Sequence, residues 1–273
     1  VAHPLARRPS GGGTGDRAVI HQNLIKRRAD EDGLSAPAVE RDYVLAHVLA
    51  AISEHDRQAQ VVFKGGTALR LCHFEDYRYS ADLDFSLIGG LDVESALRLV
   101  AEALAGCGER LGFPLLGLTE STPPRIEYIG PLGAKPRLLK LDLATDELVE
   151  NTASRPITRR YEDQEECQCR VYTLEEIAAE KLRCVMQRLQ CRDLYDLHEL
   201  LGARRVDAKA IWPLFERKAR HRDRDPDRFG DCFTDCEPRW KERWDKELAE
   251  YITLPPHFDG VLRAVRRELR FAL

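Results

Sequence analysis

The sequence predicts an α+β fold in which a mixed sheet flanked by helices is followed by a helical C-terminal part. Three stretches lead to it. At 61–71 an apolar run, Val61-Val62-Phe63, is broken by Lys64-Gly65-Gly66-Thr67 and followed by Ala68-Leu69-Arg70-Leu71, the pattern of strand, glycine turn and helix start. Between 114 and 144, short strand-like runs stand between glycine and proline clusters that signal hairpins and loops. From 173 to the end, apolar residues recur at helical spacing.

Taken in order, residues 1–16 carry few large apolar side chains and include Gly11-Gly12-Gly13, so they are expected to form a flexible tail. Residues 17–172 are expected to form a core domain and 173–273 a helical domain that completes its site. Helices are predicted at 18–28 and 39–52, the second with Val39, Tyr43, Val44, Val48, Leu49 and Ile52 as an apolar stripe that would buttress the Val61 strand. A strand follows at 80–86. Residues 92–105 form an amphipathic helix closed by Gly106 and Gly108. Strands are predicted at 115–118, 125–129 and 137–143. Thr173, with Glu176 three residues on, reads as a capping box for a helix over 173–189. Helices at 208–218, 238–251 and 258–271 complete the chain, with a mixed-charge loop at 220–228.

Composition limits the partners. With 42 basic and 46 acidic residues and a formal charge of −4, the chain has no global attraction for nucleic acid, so any RNA contact requires a local patch. No run approaches the roughly 18 to 20 apolar residues that cross a bilayer, and the expectation is a cytoplasmic protein without a membrane partner. The eight cysteines are scattered and read as free thiols. Cys167 with Cys169 and Cys232 with Cys236 lack the usual zinc spacing, and Cys184 and Cys191 read as core thiols.

The chemistry gathers around 61–86. In a strand Asp82 and Asp84 share one face and Leu83 and Phe85 the other. Two carboxylates pointing together repel unless a divalent cation sits between them, and Mg²⁺ (or Mn²⁺) suits such hard oxygen ligands. Gly65 and Gly66 have no Cβ to keep a phosphate from the backbone, and the N–H groups of the following helix start carry partial positive charge. Thr67 either caps that helix or donates to a phosphate oxygen. Together these features outline a metal-dependent transferase acting on a nucleoside triphosphate. Later in the chain, Leu139, Leu141 and Leu143 share a strand face, which leaves Lys140 and Asp142 on the other. Lys181 borders the apolar face of its helix, where it either extends its ammonium to solvent or lies beside a bound anion. Arg192, Asp193 and Asp196 fall on one helical side as an ion-pair network.

In this order, the Lys64–Leu71 run, Arg78-Tyr-Ser80-Ala-Asp82-Leu-Asp84-Phe-Ser86, Glu180-Lys181-Leu182 and Arg192-Asp193-Leu194-Tyr195-Asp196-Leu197 resemble the AbiEii/AbiGii-type nucleotidyltransferase toxin family, which includes the MenT-type toxins. The resemblance covers residues 38–201. It implies a DNA polymerase β-like nucleotidyltransferase fold and a toxin paired with a separate antitoxin. It also implies NMP transfer from an NTP, often a pyrimidine nucleotide, to the 3′ end of tRNA. On this likeness Asp82, Asp84 and Asp142 are the metal set, with Asp142 as the third carboxylate from a later strand, although a solvated Asp on a half-exposed strand reads the same way. Lys64, Gly65, Gly66, Thr67, Ser80 and Lys181 belong to the nucleotide site, with Lys181 also catalytic and Asp196 orienting it. Ser80 is in addition a point where phosphorylation would set charge beside the metal. Relatives carry an arginine near position 190, where this chain has Gln190.

Arg263, Arg266, Arg267 and Arg270, with Arg204, Arg205, Lys209, Arg217, Lys218 and Arg220, either line an RNA groove or form an ordinary exposed basic face. Two other functions fit the sequence: the same fold modifying a protein or small molecule, and a module that only senses nucleotide.

Overall fold

The apolar run at Val61 lies inside a seven-stranded mixed sheet. A computed structural model describes residues 22–107, 113–119, 121–133, 135–203 and 205–273. The expected tail at 1–16, the first residues of the helix predicted at 18–28, Gly108 and Arg204 lie outside the described residues. The strands are β1 (Val61–Lys64), β2 (Asp82–Leu87), β3 (Leu115–Leu118), β4 (Arg125–Tyr128), β5 (Arg137–Ala144), β6 (Thr152–Pro156) and β7 (Gln168–Tyr172), in the spatial order β3-β4-β5-β2-β1-β7-β6. The β2–β5 and β1–β7 pairs are parallel and the others antiparallel. The architecture is the expected α+β one, a mixed sheet flanked by helices with a helical C-terminal region.

The helices are α1 (Gln22–Asp32), α2 (Ala36–Ser53), α3 (Gly65–Ala68), α4 (Val93–Cys107), α5 (Leu174–Val185), α6 (Cys191–Leu197), α7 (Ala208–His221), α8 (Phe229–Leu248) and α9 (Phe258–Glu268). Helix α2 packs on β2 and β7, and α4 packs on α2, β3 and β5. The apolar stripe expected on α2 is in fact buried on nearly every side, because two of its acids are neutralised in place. Asp42 receives Arg70 through a buried bidentate pair, and Glu40 receives Arg137 and the Leu132 N–H.

Four elements depart from the sequence reading. Strands β6 and β7 were not foreseen; Gln168-Cys-Arg-Val-Tyr172 mixes polar and apolar residues, and its strand character comes from pairing with β1 and β6. Helix α8 begins nine residues before Pro238, the start the sequence suggested, and runs through that proline. Its buried stripe of Phe229, Phe233, Cys236, Trp240, Trp244 and Leu248 outweighs the one backbone bond Pro238 cannot donate. The capping box at Thr173 is half formed. Thr173 Oγ1 accepts the Glu176 N–H at 3.3 Å, but the Glu176 carboxylate turns to the N–H groups of Glu150 and Asn151 and to Lys218 Nζ at 2.7 Å. That fully buried acid thus ties α5 and α7 to the loop after β5.

Candidate active site

Strand register assembles the site. Lys64 lies opposite Asp84 and Asp84 opposite Asp142; one step along, Asp82 lies opposite Lys140 and Lys140 opposite Arg125. Alternation puts all these side chains on one sheet face, while Leu83, Phe85, Leu139 and Leu141 enter the core on the other. On that polar face a cleft of about 280 Å³ is lined by Asp82, Asp84, Asp142, Lys64, Gly65, Gly66, Ser80 and, from α5, Glu180 and Lys181. The three carboxylates and two lysines singled out in the sequence therefore share one cleft.

Each glycine makes room for a side chain of the site itself. Gly65 has φ +78°, and a Cβ there would stand 2.5 Å from Asp84 Oδ2. A Cβ on Gly66 would run into the Arg78 guanidinium. Gly66→Ala is expected to push Arg78 off its partner Asp196 and to cost about 1–3 kcal/mol, as overpacking does. Urea unfolding checks this, and an unchanged midpoint would mean that the guanidinium can move aside freely.

Thr67 and Asp196 do not line the cleft. The Thr67 hydroxyl is buried, 2.6 Å from both the Ser80 hydroxyl and the Asp82 carbonyl, so it fixes the start of β2 rather than presenting a donor to the cleft. Nor does it cap α3, whose N-cap is Lys64 with no side-chain bond. Asp196 accepts from Arg78 Nε and Nη2 and from the Tyr77 hydroxyl, each at 2.7 Å, and pairs with Lys181 at 2.6 Å. Burial alone would raise its pKa, but Arg78 and Lys181 hold it below the usual carboxylate range. Lys181 also meets Asp193 at 2.7 Å.

Arg192 does not pair with Asp193 as its helical position suggested. It bonds Gln190 Oε1 at 3.2 Å and lies over the Tyr251 ring. Asp193 instead receives Arg188 at 2.9 and 3.1 Å, so the arginine expected near position 190 is supplied two residues earlier. Arg188 falls within the helix predicted over 173–189, but α5 ends at Val185 and Arg188 stands in the turn before α6. Arg183 was also missed; it is almost fully buried on the cleft wall and meets Glu147 at 3.2 Å and Glu180 at 3.6 Å.

Lys64 Nζ lies 3.1 Å from Glu180 and 3.4 Å from Glu147. Burial opposes its charge, yet these two acids raise its pKa, so it stays protonated. Asp84 is the strained member. Burial and the charges of Asp82 and Asp142 push its carboxyl up to about 6. Carboxylates held together at such a cost suit a hard divalent cation, which would remove the repulsion. Among the described residues, however, no group of three or more His, Cys, Asp or Glu is already spaced as a metal cage. Asp142 Oδ2 lies 3.2 Å from Lys140 Nζ, so Lys140 competes with any cation for that oxygen, while Asp82 and Asp84 have no such lysine beside them on β2.

The C-terminal basic groove is much reduced. Lys218 is buried, bonded to the Leu148 carbonyl and paired with Glu176. Arg217 pairs with Glu150, Arg220 with Glu216, Arg266 with Glu237 and Arg267 with Glu268, so with Lys218 half of the ten cations are balanced locally.

Residues 47–264 match the family of nucleotidyl transferase AbiEii toxins of type IV toxin–antitoxin systems. Among solved structures, MenT4, a nucleotidyltransferase toxin from Mycobacterium tuberculosis H37Rv, is similar with a TM-score of 0.67 over 93% of this chain and 89% of that one, at 21% identity. JHP933 from Helicobacter pylori is similar with a TM-score of 0.53 over 88% of this chain and 93% of that one, at 17% identity. At these identities the likeness is one of fold. No curated protein matches the chain in sequence.

Proposed function

We propose that this chain, which belongs to the AbiEii nucleotidyl transferase toxin family, is a metal-dependent enzyme that transfers NMP from an NTP to the 3′ end of tRNA and so blocks translation and growth. The observation that supports it is the convergence of Asp82, Asp84 and Asp142 on a cleft walled by Lys64, Lys181, Arg183 and Arg188. Asp82 and Asp84 would hold Mg²⁺ or Mn²⁺, with Asp142 completing the set. When bound, the metal supplies charge stabilisation at the phosphoryl group under attack. Asp142, freed from Lys140, accepts a hydrogen bond from the acceptor hydroxyl and aims it at the α-phosphorus. Gly65 and Gly66 line the cleft and let the turn close against Asp84 and Arg78, which sets the floor on which the triphosphate would lie. Lys64, Lys181, Arg183 and Arg188 offset the charge gathering on pyrophosphate as it leaves. Thr67 and Asp196 act from beneath the cleft, one holding β2 and the other Lys181. A separate antitoxin protein would hold the activity in check. Among the described residues no helix is long and apolar enough to cross a membrane.

Incubating the protein with total RNA and each of the four α-labelled NTPs, then separating RNA from protein, tests this reading. Label is expected in tRNA, with a pyrimidine nucleotide preferred. Label confined to protein would move the acceptor to another class, and no label with any NTP would reject transfer.

Metal binding has its own readout. Mg²⁺ is expected to raise the melting temperature of the wild-type protein, since a ligand that binds only the folded state stabilises it. Asp84→Asn is expected to abolish that response while stabilising the metal-free protein by about 1–3 kcal/mol at pH 7, an upper range set by the value of a pKa shift of this size. The sign follows from the raised pKa. Between the ordinary value of 3.8 and about 6 the folded form binds protons more readily than the unfolded one, so metal-free wild type loses stability as pH rises through that window. A variant that melts like wild type at every pH would show that the Asp84 carboxylate carries no such strain.

A further inference from the structure

The sheet face that bears the carboxylates does not end at Asp142. Across β5 and β4 it continues through Lys140, Arg125, Leu138 and Glu127, and there it is open to solvent. Arg125 is exposed, Leu138 is 47% exposed, and the Lys140 side chain is 36% exposed, while Ile126, Leu139 and Leu141 between them are fully buried on the opposite face. Toward β1 the same face is covered: Val62, level with Ser86, has no exposure. The catalytic face therefore passes from a roofed half, where α5 brings Lys181 and Arg183, to an unroofed half.

We propose that this unroofed half, the row from Lys140 to Arg125 with Leu138 beside it, is the track on which the single-stranded 3′ end of the RNA acceptor lies as it reaches Asp142. The inference rests on the transferase reading above and adds the direction of approach. In phosphoryl transfer the attacking and leaving oxygens stand roughly in line on opposite sides of the phosphorus. The cations suited to the leaving pyrophosphate are on the roofed side, so the acceptor enters from the other.

Charge selects the occupant. Lys140 has Asp142 as its ion-pair partner, and Arg125 forms no ion pair with any described residue; Arg205, Lys209, Arg263 and Arg270 also form none, but they do not line the cleft, whereas Lys140 does and Arg125 stands beside it on the next strand. Register sets Asp82, Lys140 and Arg125 side by side on adjacent strands, so the two cations lead away from the carboxylates in one row. Phosphates on this row would draw Lys140 off Asp142, the carboxylate the reaction needs free. Glu127, directly opposite Leu138, repels phosphate and keeps the backbone on the cationic row. The exposed Leu138 then offers a flat apolar surface to the bases. The cationic row is a single residue deep on each strand, with Leu138 and Glu127 as the next row, and so suits one phosphate backbone rather than two.

The test uses the full chain, a fluorescein-labelled single-stranded RNA with a free 3′ hydroxyl, and a labelled NTP. Arg125→Glu and Leu138→Glu are each expected to weaken RNA binding at least tenfold and to leave NTP binding unchanged, which also reports that the fold is intact. Arg125→Lys is expected to restore RNA binding, and Arg125→Glu to flatten its salt dependence by roughly 0.7 in log–log slope for the lost phosphate contact. Wild-type RNA affinity and slope in both charge variants would overturn the track while leaving the transferase reading in place. If wild type binds NTP but no RNA, and label goes to protein instead, the RNA acceptor and the track fall together.

Discussion

Asp82→Ala is expected to lower nucleotide transfer at least about a thousandfold without unfolding the protein. The size follows from what the carboxylate would hold: losing several kcal/mol of metal-derived charge stabilisation, at a factor of ten for each 1.36 kcal/mol, removes three or more orders of magnitude. The fold should survive because Asp82 contributes nothing to the core; it sits on the polar face of β2 while its neighbours Leu83 and Phe85 are buried. Asp82 is also one of the charges that raise the Asp84 pKa, so its loss relaxes Asp84 toward the ordinary carboxylate range. Metal-free Asp82→Ala should accordingly melt no lower than wild type while losing the Mg²⁺ response. Labelling assays and thermal melts on the same preparation decide it. Retained labelling would reject the assignment of Asp82, and lost labelling with a collapsed melt would mean that the side chain is structural.

Much of this centre was legible because β-strand geometry is local. Period two alone places Asp82 with Asp84 and Lys140 with Asp142, and the structure keeps both pairings. What periodicity could not give is what crosses between elements. Arg188 reaches Asp193 from a turn, Arg183 reaches Glu147 across the cleft, and Glu176 abandons its own helix end for Lys218, each set by tertiary packing. The glycines show the same limit. Their lack of a Cβ suggests room for phosphate, yet the side chains that require the space are Asp84 and Arg78, from the strand and loop that follow. The C-terminal arginines form a pattern of one charge sign in sequence, but Arg217 and Arg266 find acidic partners outside their own helices, Glu150 and Glu237.

Asp196→Ala is expected to produce the largest loss of stability, about 3–5 kcal/mol, out of the roughly 5–15 kcal/mol that a folded domain holds in reserve. The carboxylate is fully buried and accepts Arg78 in bidentate fashion, the Tyr77 hydroxyl and Lys181. Without it Arg78 is left as a buried cation that keeps a hydrogen bond to the Tyr79 carbonyl at 3.1 Å and the faces of Tyr77 and Tyr251 but no acid of its own, while Lys181 keeps Asp193. The depressed pKa of Asp196 gives the pH sign: its contribution is complete above the ordinary carboxylate value and is lost as pH falls through the lowered one. Activity would fall too, but through Lys181, because Asp196 itself does not reach the cleft. Two measurements separate positioning from direct nucleotide contact. Replacing the pair together, Arg78→Met with Asp196→Leu, should recover more than half of the lost stability, since a buried ion pair exchanged for apolar side chains is often nearly neutral. Asp196→Asn should lower the urea midpoint more than it raises the KM for NTP. An Asn variant with wild-type stability and a sharply raised KM would place Asp196 in the nucleotide site itself.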